Sequence, residues 1–227
     1  MRAILALLTI AVFAWTDAFD DGVAAVVRGD HQEAVKQFTQ AIKQNPNNAR
    51  VYYNRGVSYS MLGDHKKAIA DYTRAIKIDP SDARAYYNRG ATYYKLGDHS
   101  KAIGDYTQAI KIDPKDIKAY HNRGISYKAL GDYSKAIADY TRVIKIAPND
   151  ARAYNDRGSS YAALRDFKKA IEDFTRAIKF DPNYALAYNN RGVLYAELDD
   201  FEKATEDARK LCSLGYCELL ERIAKKE

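Results

Sequence analysis

The residues of this chain that could recognise another molecule return at a fixed interval. With Ala49 taken as position 1 of a 34-residue unit, position 2 holds Arg50, Arg84, Lys118 and Arg152, position 5 holds Tyr53, Tyr87 and His121, and position 6 holds Asn54, Asn88 and Asn122. An arginine takes a carboxylate in a two-pronged fork. An asparagine amide offers a donor and an acceptor together, which suits a peptide unit. Bases and amides repeated in this way fit an extended chain with acidic groups. A second set sits at positions 7 and 23, as Arg55 with Asp71, Arg89 with Asp105, Arg123 with Asp139, Arg157 with Asp173, and Arg191 with Asp207. The first unit has Asp21 and Gln37 at these places, so the two types appear and vanish together. Position 7 lies inside an apolar stripe, where a guanidinium must find a partner. The spacing therefore predicts a structural ion pair in each of the five later units, one that fixes register more than it stabilises, with ligand binding as the alternative use of these residues.

Other chemistry is not indicated. Cys212 and Cys217 flank Gly215, and a turn there brings two cysteines within reach of a disulfide. His31, His65 and His99 share position 17 of successive units, too far apart to converge on one metal. Phosphate-binding glycine loops, nucleophile elbows and zinc-protease motifs are absent from the sequence. The reading is of a non-enzyme with no catalytic residues, cofactor, metal or small-molecule substrate.

The elements that must position these residues follow from the same period. Pro46, Pro80, Pro114, Pro148 and Pro182 are each 34 residues apart, as are Gly56, Gly90, Gly124 and Gly158 and Ala68, Ala102, Ala136 and Ala170. Tyr52, Gly56 and Tyr59 fall on one stripe of a helix, and Ala68, Ile69, Tyr72, Ala75 and Ile76 on one face of a second. Gly63 ends the first helix, Asp64 caps the second and Pro80 closes it. Each unit is thus a helical hairpin that must stack on its neighbours to bury its apolar faces. Thirteen of the 19 tyrosines stand at positions 4, 11 and 24 of the units, which makes them packing residues first.

An aromatic at 4, Gly at 8, Tyr at 11, Ala at 20, an aromatic at 24, Ala at 27 and Pro at 32 is a pattern that resembles the tetratricopeptide repeat. The resemblance covers about nine-tenths of the chain. It implies an all-α, right-handed superhelical solenoid of about six repeats, divided as a degenerate first repeat at 19–48, then 49–82, 83–116, 117–150, 151–184 and 185–218. Tyr216 to Lys226 reads as a capping helix, 219–227 being its C-terminal part. The resemblance also implies a concave groove lined by each first helix, where peptides bind. The chaperone-binding subgroup of the family clamps a terminal carboxylate with Lys at 5 and Asn at 9, among others. Here those places hold Tyr53 and Val57 or Tyr87 and Ala91, which argues against chaperone tails as ligands.

Residues 1–18 read as a secretory signal peptide, a buried first helix being the alternative. Thirteen residues from Ala3 to Trp15 are apolar apart from Thr9, a helix of only ~20 Å against ~30 Å of hydrocarbon. Small residues suit a cut after Ala18, and a second cut after Ala14 is open. This predicts an exported protein, periplasmic or secreted, or one anchored to the membrane if the leader stays uncut. At 47% hydrophobic and 29% charged, the 227-residue chain has ample material for a packed core. A net charge of +6 favours acidic partners. Aspartate and glutamate spread through every unit speak against nucleic acid. The function predicted is a protein-interaction scaffold for extended or acidic segments; the alternatives are a membrane-tethered assembly factor and a regulatory subunit of an enzyme.

Overall fold

The computed structural model describes residues 18–219. All regular elements among them are helices. Residues 18–27 form α1. It is followed by α2 (His31–Gln44), α3 (Ala49–Met61), α4 (His65–Ile78), α5 (Ala83–Lys95) and α6 (His99–Ile112). Then come α7 (Ile117–Ala129), α8 (Tyr133–Ile146), α9 (Ala151–Ala163), α10 (Phe167–Phe180), α11 (Ala185–Glu197) and α12 (Phe201–Ser213). The described residues fall into two compact units that meet in sequence at Pro114 and Lys115. Within each unit consecutive helices pair as hairpins, and each hairpin packs on the next in chain order. A further helix begins at residue 218; the rest of the predicted cap, and the leader up to residue 17, lie outside the described residues.

Local chemistry sets the helix ends. Asp64, Asp98 and Asp132 cap the second helices by accepting from the amides of Lys67, Lys101 and Lys135. The turn before them needs a left-handed residue, supplied by Gly63, Gly97 and Gly131 at φ 79° each. In the last two hairpins the same turn is made by Arg165 at φ 61° and Asp199 at φ 60°. The second helices stop before the proline, whose ring disfavours helical geometry in the preceding residue; Asp79, at φ −127° and ψ 92°, is extended.

The hairpins close around one recurring contact. A methyl group added to Gly56 would sit 2.8 Å from a ring carbon of Tyr72, and the same holds for Gly124 with Tyr140 and Gly158 with Phe174. The glycine thus leaves the space that the position-24 ring occupies, and those rings are almost wholly buried. The last hairpin has Ala208 in place of a ring. There Leu219, from the start of the following helix, comes down on Gly192 instead and is 4% exposed. At the other end Ala18, assigned to the leader by the sequence reading, is 3% exposed and packs with Ala25, Ala34, Phe38, Ala41 and Val51. Structurally it belongs to the first hairpin.

Candidate functional site

Direct contact between α3 and α5, and between α9 and α11, puts the first helices of neighbouring hairpins side by side on one face of each unit. That face carries the residues at positions 2, 5 and 6. The amides at position 6 do not simply face solvent. Asn88 Nδ2 donates to the Tyr53 hydroxyl at 2.8 Å, and Asn190 Nδ2 donates to Asn155 Oδ1 at 2.9 Å. His121 Nε2 meets Asp156 Oδ2 at 2.9 Å. Each of these joins position 5 of one hairpin to position 6 of the next, 35 residues on. They form rungs between hairpins, a role that reading one repeat at a time misses. Each amide keeps unused bonding capacity, and the Tyr53 hydroxyl, pushed above its ordinary pKa by burial, stays protonated beside Asn88. Tyr87 packs on Tyr106 with ring centres 5.7 Å apart, and Asn54 and Asn122 are half-buried on the same face.

Position 2 is also partly engaged. Arg84 forks Asp82 with Nε and Nη2 at 2.9 and 2.8 Å and lies 5.0 Å over the Tyr53 ring. Arg152 stands 4.0 Å from Asp150. Arg50 covers the Phe19 ring at 5.1 Å, and Lys118 is exposed. These guanidinium groups remain largely in water, 65% exposed for Arg84 and 73% for Arg152, and so can exchange the cap carboxylate for a ligand's at little cost.

Two concavities open on this face at matching register. In the first unit one of about 170 Å³ is floored by Tyr72 and walled by Val57, Met61 and Ala91, with Lys95 at its rim. In the second unit one of about 230 Å³ is floored by Phe174 and walled by Ala162 and Val193, with Glu197 at its rim. Both are the size of a side chain rather than of a cofactor. The sequence signal for the rims was position 13, which holds Met61, Lys95, Ala129, Ala163 and Glu197. A larger concavity of about 310 Å³ adjoins Leu186, where position 2 turns apolar, and Tyr216.

Behind the face lie the position-7 arginines. Arg55 Nε and Nη2 bond Asp71 at 2.7 and 2.8 Å, and Nη1 reaches Thr39 of the preceding hairpin at 2.9 Å. Arg89 with Asp105 and Thr73, Arg157 with Asp173 and Thr141, and Arg191 with Asp207 and Thr175 repeat this arrangement; Arg123 forks Asp139. Tyrosines at positions 4 and 11 flank the guanidinium; Arg55 is 5.8 Å from the Tyr52 ring centre and 5.7 Å from that of Tyr59. The bonds to Asp105 hold Arg89 above its ordinary pKa against the pull of burial. Arg55, Arg89, Arg157 and Arg191 therefore each join their own hairpin to the one before, and, like Arg123, they are spent on the fold rather than open to a ligand.

Cys212 and Cys217 are joined by a disulfide with Cα atoms 4.1 Å apart, closing the turn that leads into the last helix. Among the described residues no cluster of three or more His, Cys, Asp or Glu side chains could hold a metal ion, and no helix is long and apolar enough to cross a membrane.

Comparison with known proteins agrees with this architecture. Residues 24–63 and 58–97 match a family model described as TPR repeat. Residues 83–116, 117–150 and 151–184 match one described as tetratricopeptide repeat, and residues 174–206 match another of that description. No curated protein matches the chain. Among solved structures, MamA is 27% identical with a TM-score of 0.72, covering 76% of this chain and 94% of that one. YrrB, described as a TPR protein with an unusual peptide-binding site, is 27% identical at a TM-score of 0.72, covering 84% of this chain and 98% of its own. A tetratricopeptide repeat protein from Parabacteroides merdae is 25% identical at a TM-score of 0.62, covering 92% of this chain and 84% of that one.

Proposed function

Because the chain belongs to the tetratricopeptide repeat family, whose members are generally protein-interaction scaffolds, we propose that it is a scaffold that holds an extended, in part acidic, segment of another protein. The observation that carries this reading is the face that the first helices make in each unit. Arg50 and Arg84 remain exposed there in the first unit and Lys118 and Arg152 in the second, and within the units Asn88 with Tyr53 and Asn190 with Asn155 are fixed by rungs between hairpins. A surface ordered before the ligand arrives loses little entropy on binding. A solved structure of similar fold, YrrB, is described by its peptide-binding site, which supports the same use of the face here.

The apolar run from Ala3 to Trp15 supports export to the periplasm or beyond, and a disulfide between Cys212 and Cys217 accords with an oxidising compartment. If the leader is retained, the same scaffold works at the membrane as an assembly factor. The intact mass of the protein recovered from exporting cells separates the two. To test the scaffold reading, the chain is used as bait and its partners are eluted with salt. Charge reversal at both Arg84 and Lys118 should lower capture severalfold at low ionic strength. Partners retained equally by the reversed chain would refute it.

A further inference from the structure

The two concavities on the first-helix face occupy the same register but carry opposite charge at the same position. Lys95 and Glu197 are both position-13 residues, both exposed and outside every ion pair among the described residues. Neither charge is consumed by the fold. The contrast is sharp because most carboxylates of the repeats are consumed. Asp64, Asp98, Asp132, Asp166 and Asp200 bind the lysine three residues on, and those at position 23 are gripped by arginine. What remains at each rim is a free charge next to a hollow with an aromatic floor, lined by apolar side chains together with Ser60, Asn88 and Thr92 in the first unit and Ser159, Asn189 and Asn190 in the second.

We propose that the two units select differently charged stretches of ligand: the first takes an apolar side chain flanked by a carboxylate, and the second takes an apolar side chain flanked by a cation. The inference rests on the scaffold reading and refines it. In the first unit the side chain enters over Tyr72 between Val57 and Ala91, and its acidic neighbour meets Lys95, with Arg84 on the same face. In the second unit the side chain enters over Phe174 between Ala162 and Val193, and its basic neighbour meets Glu197, with Asp199 two residues away. The hollows of about 170 and 230 Å³ admit an aliphatic side chain. Asn88 and Asn190, which line the two hollows, retain bonding capacity for the ligand's backbone. On a chain of net charge +6, attraction for a basic stretch runs against the overall field, so it must come from a local group such as Glu197.

The test uses the full chain and three labelled peptides of equal length in which leucine alternates with aspartate, lysine or serine, followed by fluorescence anisotropy. The wild-type chain should bind the aspartate and lysine peptides more tightly than the serine one. Lys95→Glu should weaken the aspartate peptide about three- to tenfold and leave the lysine peptide unchanged; Glu197→Lys should do the reverse. Ala91→Phe and Val193→Phe, which fill the hollows, should remove the aspartate and the lysine peptide respectively; circular dichroism establishes that the variants are folded. The charge reversals lie at exposed sites and carry the test if the fillings disturb packing. If reversal changes both peptides alike or neither, while filling abolishes binding, the charge assignment is overturned and the scaffold reading stands. If no peptide binds, or filled and unfilled chains bind alike, both fall together.

Discussion

Arg55 grips Asp71 with two nitrogens and touches Thr39 of the preceding hairpin with a third. The pair is mostly buried, with side-chain exposures of 16% and 8%, so removing one member strands the other. Arg55→Leu should destabilise the chain by about 3–5 kcal/mol because a buried carboxylate is left unpaired. Arg55→Leu combined with Asp71→Leu should recover most of that loss, since apolar side chains of similar volume replace a buried pair nearly neutrally. Urea unfolding of the two single variants and the double completes the cycle. A single-variant loss below about 1 kcal/mol, the scale of a surface pair, would contradict the account.

Gly192 and Leu219 stand in the relation that glycine and ring hold in earlier hairpins. Leu219→Ala should open a cavity costing about 2–4 kcal/mol, felt mainly in the last hairpin. Adding Ala208→Tyr should restore part of the loss, because it returns the ring that this hairpin lacks. Gly56→Ala should destabilise by about 1–3 kcal/mol, since its Cβ would press on Tyr72. Thermal melts of these variants measure each effect.

Arg165 and Asp199 hold left-handed geometry where the other turns have glycine. Arg165→Gly should stabilise by about 1 kcal/mol, and Asp199→Gly by less, because aspartate tolerates this region better than arginine. A lower melting temperature for Arg165→Gly would show that its side chain, which lies 5.3 Å over the Phe167 ring, outweighs the backbone strain.

The cap aspartates predict a pH response of definite sign. The bond from Lys101 holds Asp98 below the ordinary aspartate value of 3.8, and Asp64, Asp132, Asp166 and Asp200 are lowered by their own lysines in the same way. A folded value below the unfolded one means that the contribution is complete above about pH 4 and fades as pH falls through 3.8 toward the folded values. Asp98→Asn with Asp132→Asn, which keep a capping oxygen, should flatten the acid limb of a stability-against-pH curve. An unchanged limb would assign acid unfolding to other carboxylates.

Much of this was legible in the sequence, for a physical reason. With every proline 34 residues from the next, each hairpin reports on all the others, and the joint absence of Arg and Asp from positions 7 and 23 of the first unit ties those positions together. What stayed hidden depends on stacking. Asn88 looks like a free amide until the next hairpin is laid against it, when it is found 2.8 Å from Tyr53. The exposed cations at position 2 gave no sign that Asp82 would hold Arg84. Leu219 gave no sign of replacing a ring, because the residue it replaces lies at a position defined by the repeat and Leu219 lies beyond the last one. Ala18 fits the end of a leader and a helix core alike, because small residues suit both.

The central claim is that ligands lie on the first helices of the hairpins, and amide hydrogen exchange of the chain with and without a bound partner segment tests it most directly. The account predicts added protection in α3, α5, α9 and α11 and little change in α4, α6, α8 and α10. Protection concentrated on the second helices, with the first helices unchanged, would contradict it.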